Sequence, residues 1–170
     1  MIGDRSFRFG AAICERYLEE EVGVVSETSP VAENVPVEAT WRRLAENTDS
    51  VLIDVRTRAE WNYVGVPDVT SLRKETVLVE WQGFPDNRPN PAFVVELTER
   101  LTALGASRDT ELYFICRSGA RSQSAAQAML KAGFKRCFNV ADGFEGPLDD
   151  NRHRGSRGGW KAQGLPWVQS

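Results

Sequence analysis

One cysteine in this chain stands where chemistry is expected. Cys116 follows Leu112-Tyr113-Phe114-Ile115, an apolar, aromatic and β-branched run that reads as a buried strand. Arg117-Ser118-Gly119-Ala120-Arg121-Ser122 comes next, with Ser118, Gly119 and Ser122 supplying turn and cap chemistry, and a good helical segment runs on to Lys131. A thiol is thus placed where a strand gives way to a helix. The first N–H groups of a helix lack internal partners and carry the positive end of its dipole. A tight loop there gathers N–H groups into an anion cradle, and Arg117 and Arg121 add positive charge. Such a field favours the thiolate, the nucleophilic form of cysteine. The competing reading, a small buried residue at the end of a core strand, is weakened by the loop that follows.

Cys116-Arg117-Ser118-Gly119-Ala120-Arg121 resembles the active-site loop of the rhodanese, or thiosulfate sulfurtransferase-like, family. Asp54-Val55-Arg56 followed by Ala59-Glu60-Trp61 is similar to a second signature of that family, ahead of the cysteine in the chain. The resemblance implies that Cys116 accepts a sulfur atom and carries it as a persulfide. It also implies that Arg117, Ser118, Gly119, Ala120 and Arg121 form the substrate-binding loop, and that Asp54 or Arg56 supports that loop or lines its mouth. Taken alone, an Asp/Arg pair at a strand end reads equally well as a surface ion pair of little value. Many members carry Gly-His-Ile where this chain has Tyr63-Val64-Gly65-Val66-Pro67. Transfer through a persulfide needs no imidazole base, so the missing histidine does not remove the mechanism.

Loop length separates the enzyme classes that share such a cysteine. The related phosphatases have a longer spacing between Cys and Arg, because a phosphate needs a wider cradle than one sulfur atom. Here only Arg117, Ser118, Gly119 and Ala120 intervene, which favours sulfur. The expected reaction moves a sulfane sulfur from a small anionic donor such as thiosulfate to a thiol, to cyanide or to an acceptor protein. The alternatives are a non-enzymatic sulfur carrier or interaction module and, less well supported, a phosphatase or an arsenate reductase.

These residues need a scaffold. Val35-Pro36-Val37 is read as the start of the domain. A helix is expected over residues 38–45, with Trp41 and Leu44 facing inward, then a strand over 51–56 and a third strand over 76–81. A loop with three prolines over 83–91 follows, and by analogy with the family fold it borders the site. A helix over 92–104 is capped by Gly105, with Phe93, Leu97 and Leu101 at helical spacing. After the cysteine loop come a helix over 123–130, a strand over 137–140 and a glycine-bearing turn over 141–146. A polar loop over 149–159 follows, in which Arg152, Arg154 and Arg157 read as solvated. Trp160 and Leu165 read as core anchors. This alternation predicts an α/β three-layer sandwich, with a mainly parallel central sheet between helices and the site at the carboxyl end of a central strand, and the resemblance implies the rhodanese-like form of it. Residues 35–168 are expected to form that domain and residues 1–34 an extension of unknown role, with a short helix over 11–22.

Composition narrows the alternatives. The chain has 170 residues, a formal net charge of −3, 41 % hydrophobic and 26 % charged residues, as in an ordinary globular protein. Nothing in that balance points to nucleic acid, and no apolar run is long enough to span a membrane. No signal peptide is legible, so a cytoplasmic place is expected. Three cysteines without regular spacing, Cys14, Cys116 and Cys137, do not make a disulfide framework. With one histidine, His153, in a polar loop, no metal site and no organic cofactor are expected.

Overall fold

The computed structural model describes residues 31–169; the helix expected over 11–22, and Cys14 with it, lie outside the described residues. Five parallel strands form the central sheet. In chain order they are β1 (Glu33–Val35), β2 (Ser50–Asp54), β4 (Thr76–Leu78), β5 (Glu111–Ile115) and β6 (Arg136–Val140), arranged β1-β6-β5-β2-β4. A short antiparallel pair, β3 (Val66–Pro67) with β7 (Trp167–Val168), closes one corner. The helices are α1 (Val37–Glu46), α2 (Arg58–Val64), α3 (Phe93–Ala103), α4 (Ala120–Lys131) and α5 (Gly159–Ala162). The α/β architecture expected from the alternation of elements, a parallel sheet between helices, is the one observed. The first strand opens at Glu33, two residues ahead of the expected start.

The middle strand β5 is buried at every position, which is why it reads as a continuous apolar run instead of an alternating one. Its side chains feed two cores in turn. Leu112, Phe114 and Cys116 join one, with Ile53, Phe93, Leu97, Leu101, Ala125 and Met129. Tyr113 and Ile115 join the other, with Leu44, Leu52, Val140, Phe144 and Trp160. The first core is covered by the Phe93-Leu97-Leu101 face of α3 and by α4, whose buried Ala125 and Ala126 let it lie close to the sheet. Among the described residues no helix is long and apolar enough to cross a membrane.

The register brings the signatures together. In the β2–β5 ladder Asp54 lies opposite Ile115, and the N–H of Val55 donates to the Ile115 carbonyl at 2.9 Å. The end of β2 is therefore locked beside the residue that precedes the cysteine. Both strands run the same way, so their carboxyl ends open on one edge of the sheet, where such folds build sites.

Candidate active site

Cys116 is the first residue past β5 and is 2 % exposed. Its Sγ accepts two hydrogen bonds, from the N–H of Gly119 at 3.1 Å and from the Ser122 hydroxyl at 3.2 Å. Gly119 caps α4 with φ of 101°, a left-handed conformation that only glycine adopts cheaply. That turn swings its N–H back onto the sulfur three residues earlier. The helix starts at Ala120, three residues before the expected start, so its positive end lies at the thiol.

Ser122 corrects one expectation. It was read as cap chemistry, but it lies inside α4 and is fully buried. Its hydroxyl lies 3.2 Å from Sγ and 3.1 Å from the Gly119 carbonyl, and one proton must serve both acceptors. The signal was present in the sequence: a small hydroxyl two residues into the helix points back toward the preceding loop.

The loop is held from behind by the turn expected over 141–146. Phe144 N–H donates to the Cys116 carbonyl at 2.7 Å and Glu145 N–H to the Arg117 carbonyl at 3.0 Å. Because the peptide unit is planar and trans, pinning these carbonyls turns the N–H groups of Arg117 and Ser118 away from that turn. Gly143 makes the contact possible. A Cβ there would lie 2.4 Å from the Cys116 carbonyl oxygen and 2.8 Å from Ser118 N. Gly146 is pressed in the same way against Gly158, where an added Cβ would meet a carbonyl oxygen at 2.1 Å. Trp160, fully buried as expected of a core anchor, closes the stack through its backbone N–H to the Gly143 carbonyl at 2.9 Å.

Asp54 and Arg56 are both fully buried, so the pair is not the surface ion pair that its position also allowed. Arg56 donates through Nε at 3.0 Å to each Asp54 carboxylate oxygen and through Nη2 at 2.6 Å to Oδ2, while its backbone N–H reaches Oδ1 at 3.0 Å. Nη2 also reaches the Gly65 carbonyl at 2.7 Å, and the guanidinium lies over the Phe144 ring at 4.0 Å. Both residues thus meet the loop through Phe144 and through the β2–β5 ladder.

The two loop arginines differ. Arg117 is exposed, and its side chain makes no hydrogen bond or ion pair with any described residue. Arg121, expected to attract a donor's oxygens, is instead engaged by Glu60 in a two-pronged pair, Nη1 to Oε2 at 2.8 Å and Nη2 to Oε1 at 2.6 Å. Burial alone would raise the Glu60 pKa, but the Arg121 guanidinium and the N–H and hydroxyl of Thr57 outweigh it and hold the carboxyl down at about 2. Thr57-Arg58-Ala59-Glu60 is a capping box, with the Thr57 hydroxyl and the Glu60 carboxylate bonding each other's backbone. That pattern fixes the start of α2 and orients Glu60 so that Oε2 serves both Thr57 and Arg121 while Oε1 takes Arg121 alone. Ser118 on the loop and Ala120 at the start of α4 are exposed. Cys137 is buried, and burial pushes its thiol up to about 12. His153 is exposed in its loop.

A cleft of about 510 Å³ opens beside the loop. Arg117 and Arg121 line it, with Glu60 and Tyr63 of α2, Phe84 of the proline-bearing loop, and Glu145 and Arg154. The proline-bearing loop thus borders the site as expected. Arg154, read as a solvated loop cation, belongs to its wall and donates to the Gly146 carbonyl at 2.6 Å.

The chain and its fold have known counterparts. A family model described as the STR4 middle domain matches residues 33–170. The chain belongs to this rhodanese-like family. An uncharacterized protein of Rickettsia conorii is 34 % identical over 135 residues, covering 79 % of this chain and 96 % of its own. The crystal structure of Rv0390 from M. tuberculosis superposes on the rhodanese-like domain with a TM-score of 0.75 at 44 % identity, covering 83 % of this chain and all of that one. A protein of Allochromatium vinosum named as a sulfurtransferase is 28 % identical over 131 residues, covering 77 % of this chain and 90 % of its own.

Proposed function

We propose that this rhodanese-like protein is a sulfurtransferase that works through a Cys116 persulfide. The observation that carries the reading is the pair of donors on one sulfur: the Gly119 N–H at 3.1 Å and the Ser122 hydroxyl at 3.2 Å from Cys116 Sγ, at the positive end of α4. Donors so placed stabilise negative charge on Sγ without having to reorganise. The sulfurtransferase name of the Allochromatium relative supports the same chemistry.

In the first half-reaction the Cys116 thiolate attacks the outer sulfur of a thiosulfate-type donor. A new S–S bond forms at Sγ, the donor's S–S bond breaks, and sulfite leaves with the electron pair. In the second, a thiolate or cyanide attacks the outer sulfur of the persulfide, and the Cys116 thiolate leaves. The two steps predict ping-pong kinetics. The loop N–H groups of residues 117–121 stabilise the charge on the persulfide, and Arg117, whose guanidinium has no partner among the described residues, draws in the anionic donor. Asp54 and Arg56 act as positioning residues. No metal or organic cofactor enters these steps. A working free thiol suits a compartment that keeps thiols reduced, so we assign the protein to the cytoplasm.

The test is the intact mass after incubation with thiosulfate. A gain of one sulfur atom, removed by cyanide and absent from Cys116→Ser, is expected. Sulfur loading that persists in Cys116→Ser overturns the nucleophile. Phosphate release from an aryl phosphate without sulfur loading overturns the reaction class.

A further inference from the structure

The cysteine loop has much of what a free oxyanion needs. The Gly119 N–H and the positive end of α4 face Sγ, and such a cradle also suits phosphate or sulfate. Arg121 is placed to complete it. It is the second residue of α4 and lies in the chain between Gly119 and Ser122, whose N–H and hydroxyl are 3.1 Å and 3.2 Å from Sγ. A guanidinium so close to the thiol would grip the oxygens of any small anion that entered.

Glu60 changes the charge of that site. Its carboxylate takes Nη1 at 2.8 Å and Nη2 at 2.6 Å, and the Arg121 and Glu60 side chains are only 17 % and 19 % exposed, so salt screens the pair little. Glu60 is held in place from its other side, because Oε2 also accepts from the Thr57 N–H and hydroxyl, both at 2.9 Å. Burial works against the charge on Arg121, but Glu60, and at longer range Cys116 and Asp54, outweigh it and raise the pKa. Two of the five guanidinium N–H groups are used on Glu60. What Glu60 removes is therefore the net charge, while part of the fork remains. An oxyanion brought to that fork meets a fixed carboxylate as well.

We infer that Glu60 is a specificity-determining residue, which cancels the charge of Arg121 and so keeps free tetrahedral oxyanions such as phosphate from occupying the loop around Cys116. The role rests on the persulfide reading of Cys116 and adds what that site refuses. Selective sites commonly work by repelling the wrong ligand as well as by holding the right one. Thiosulfate is affected less than phosphate. Its outer sulfur goes to Sγ, and its sulfonate stays one S–S bond farther out, where the exposed Arg117 takes it. A phosphate ion has no such handle and must put its own oxygens into the cradle beside Arg121. Loop length limits the room for phosphate, and Glu60 removes the attraction.

Inorganic phosphate is the probe, at an ionic strength held constant with chloride so that screening does not change. Its inhibition of thiocyanate formation from thiosulfate and cyanide is measured on the full-length protein. Its protection of Cys116 from iodoacetamide, read by peptide mapping, gives the same affinity without any sulfur transfer. Glu60→Gln keeps a capping-box side chain for Thr57 and removes the charge. It is expected to bind phosphate about tenfold more tightly than the wild type, the gain that one charge-assisted hydrogen bond provides, with a smaller fall in KM for thiosulfate. Arg121→Gln leaves the Glu60 carboxylate uncompensated and is expected to bind phosphate more weakly than the wild type. The double variant carries neither charge and is expected to lose the gain of Glu60→Gln. A pair with a merely structural role would move both single variants in the same direction. That result, an unchanged phosphate affinity in Glu60→Gln, an equal gain for thiosulfate, or a gain that persists in the double variant would overturn the role of Glu60 and leave the persulfide chemistry in place. Failure of thiosulfate to load Cys116 in the wild type would overturn the sulfurtransferase reading instead, and the protection assay keeps the two apart.

Discussion

Replacing Arg56 by Met tests how the loop is supported. The side chains of Asp54 and Arg56 have no exposed surface and meet at 2.6 Å. Removing the guanidinium leaves the Asp54 carboxylate buried with only the N–H of residue 56 as a described partner. Breaking such a pair costs roughly 3–5 kcal/mol, because the remaining charge is uncompensated. Loss of the contact with the Phe144 ring adds roughly 0.5–2 kcal/mol. For a chain of this length the pair alone corresponds to a fall in Tm of roughly 6–20 °C. Urea denaturation of the wild type, Arg56→Met, Asp54→Leu and the double variant gives the coupling directly. The double variant is expected to be more stable than Arg56→Met, since a well-packed apolar replacement of a buried pair is often close to neutral. Activity is expected to fall in Arg56→Met even at temperatures where it is folded, because the guanidinium supports Phe144 and Phe144 N–H holds the Cys116 carbonyl. A loss in Arg56→Met of under about 1 kcal/mol, the level of an exposed pair, would refute the reasoning.

Further substitutions probe the other contacts. Gly143→Ala adds a Cβ that meets the Cys116 carbonyl oxygen at 2.4 Å in a backbone with φ of 62°; the left-handed and overpacking costs sum to roughly 2–5 kcal/mol. The displaced loop should lower kcat/KM for thiosulfate by about a hundredfold, read as thiocyanate formed with cyanide as acceptor. Ser122→Ala removes the hydroxyl from Sγ, and a loss of roughly 1 kcal/mol in stability with a slower rate of thiosulfate consumption is expected; cysteine-loading kinetics by mass read it out. Glu60 has a folded pKa of about 2 against an ordinary 4.5. Its contribution to stability is complete above pH 4.5 and fades as the pH falls toward 2. Acid titration followed by circular dichroism should therefore show a steeper loss between those values in the wild type than in Glu60→Gln. Cys137, raised to about 12, should resist alkylation at pH 8 in the native protein and react only after unfolding, as peptide mapping would show.

The sheet was legible because its strands are buried on both faces. Runs such as Val51-Leu52-Ile53 and Leu112-Tyr113-Phe114-Ile115 are hard to read as anything else between turn signals. The cysteine loop was legible because strand, thiol and turn residues follow one another directly. What was missed depends on contacts across the chain. Arg121 looks like a donor-binding cation until Glu60, 61 residues earlier, is seen to hold it. Ser122 looks like a cap until Gly119 is found in the capping position. Arg154 looks solvated until the fold curls its loop over the cleft. Local pattern states what a residue can do, and only the tertiary partner decides which of its options is used.

The stacked glycines have a consequence for how the protein is made. The cysteine loop leans on Gly143, the turn at Gly146 leans on Gly158, and Trp160 clamps Gly143 from the far side. Synthesis delivers Cys116 first and Trp160 more than forty residues later. While the chain is still emerging, that last tier does not exist and the cradle has no firm back wall. The loop that carries Cys116 is thus braced only after residues 143–160 have been made, so a chain cut short before them would bear the thiol without the turn that shapes its loop.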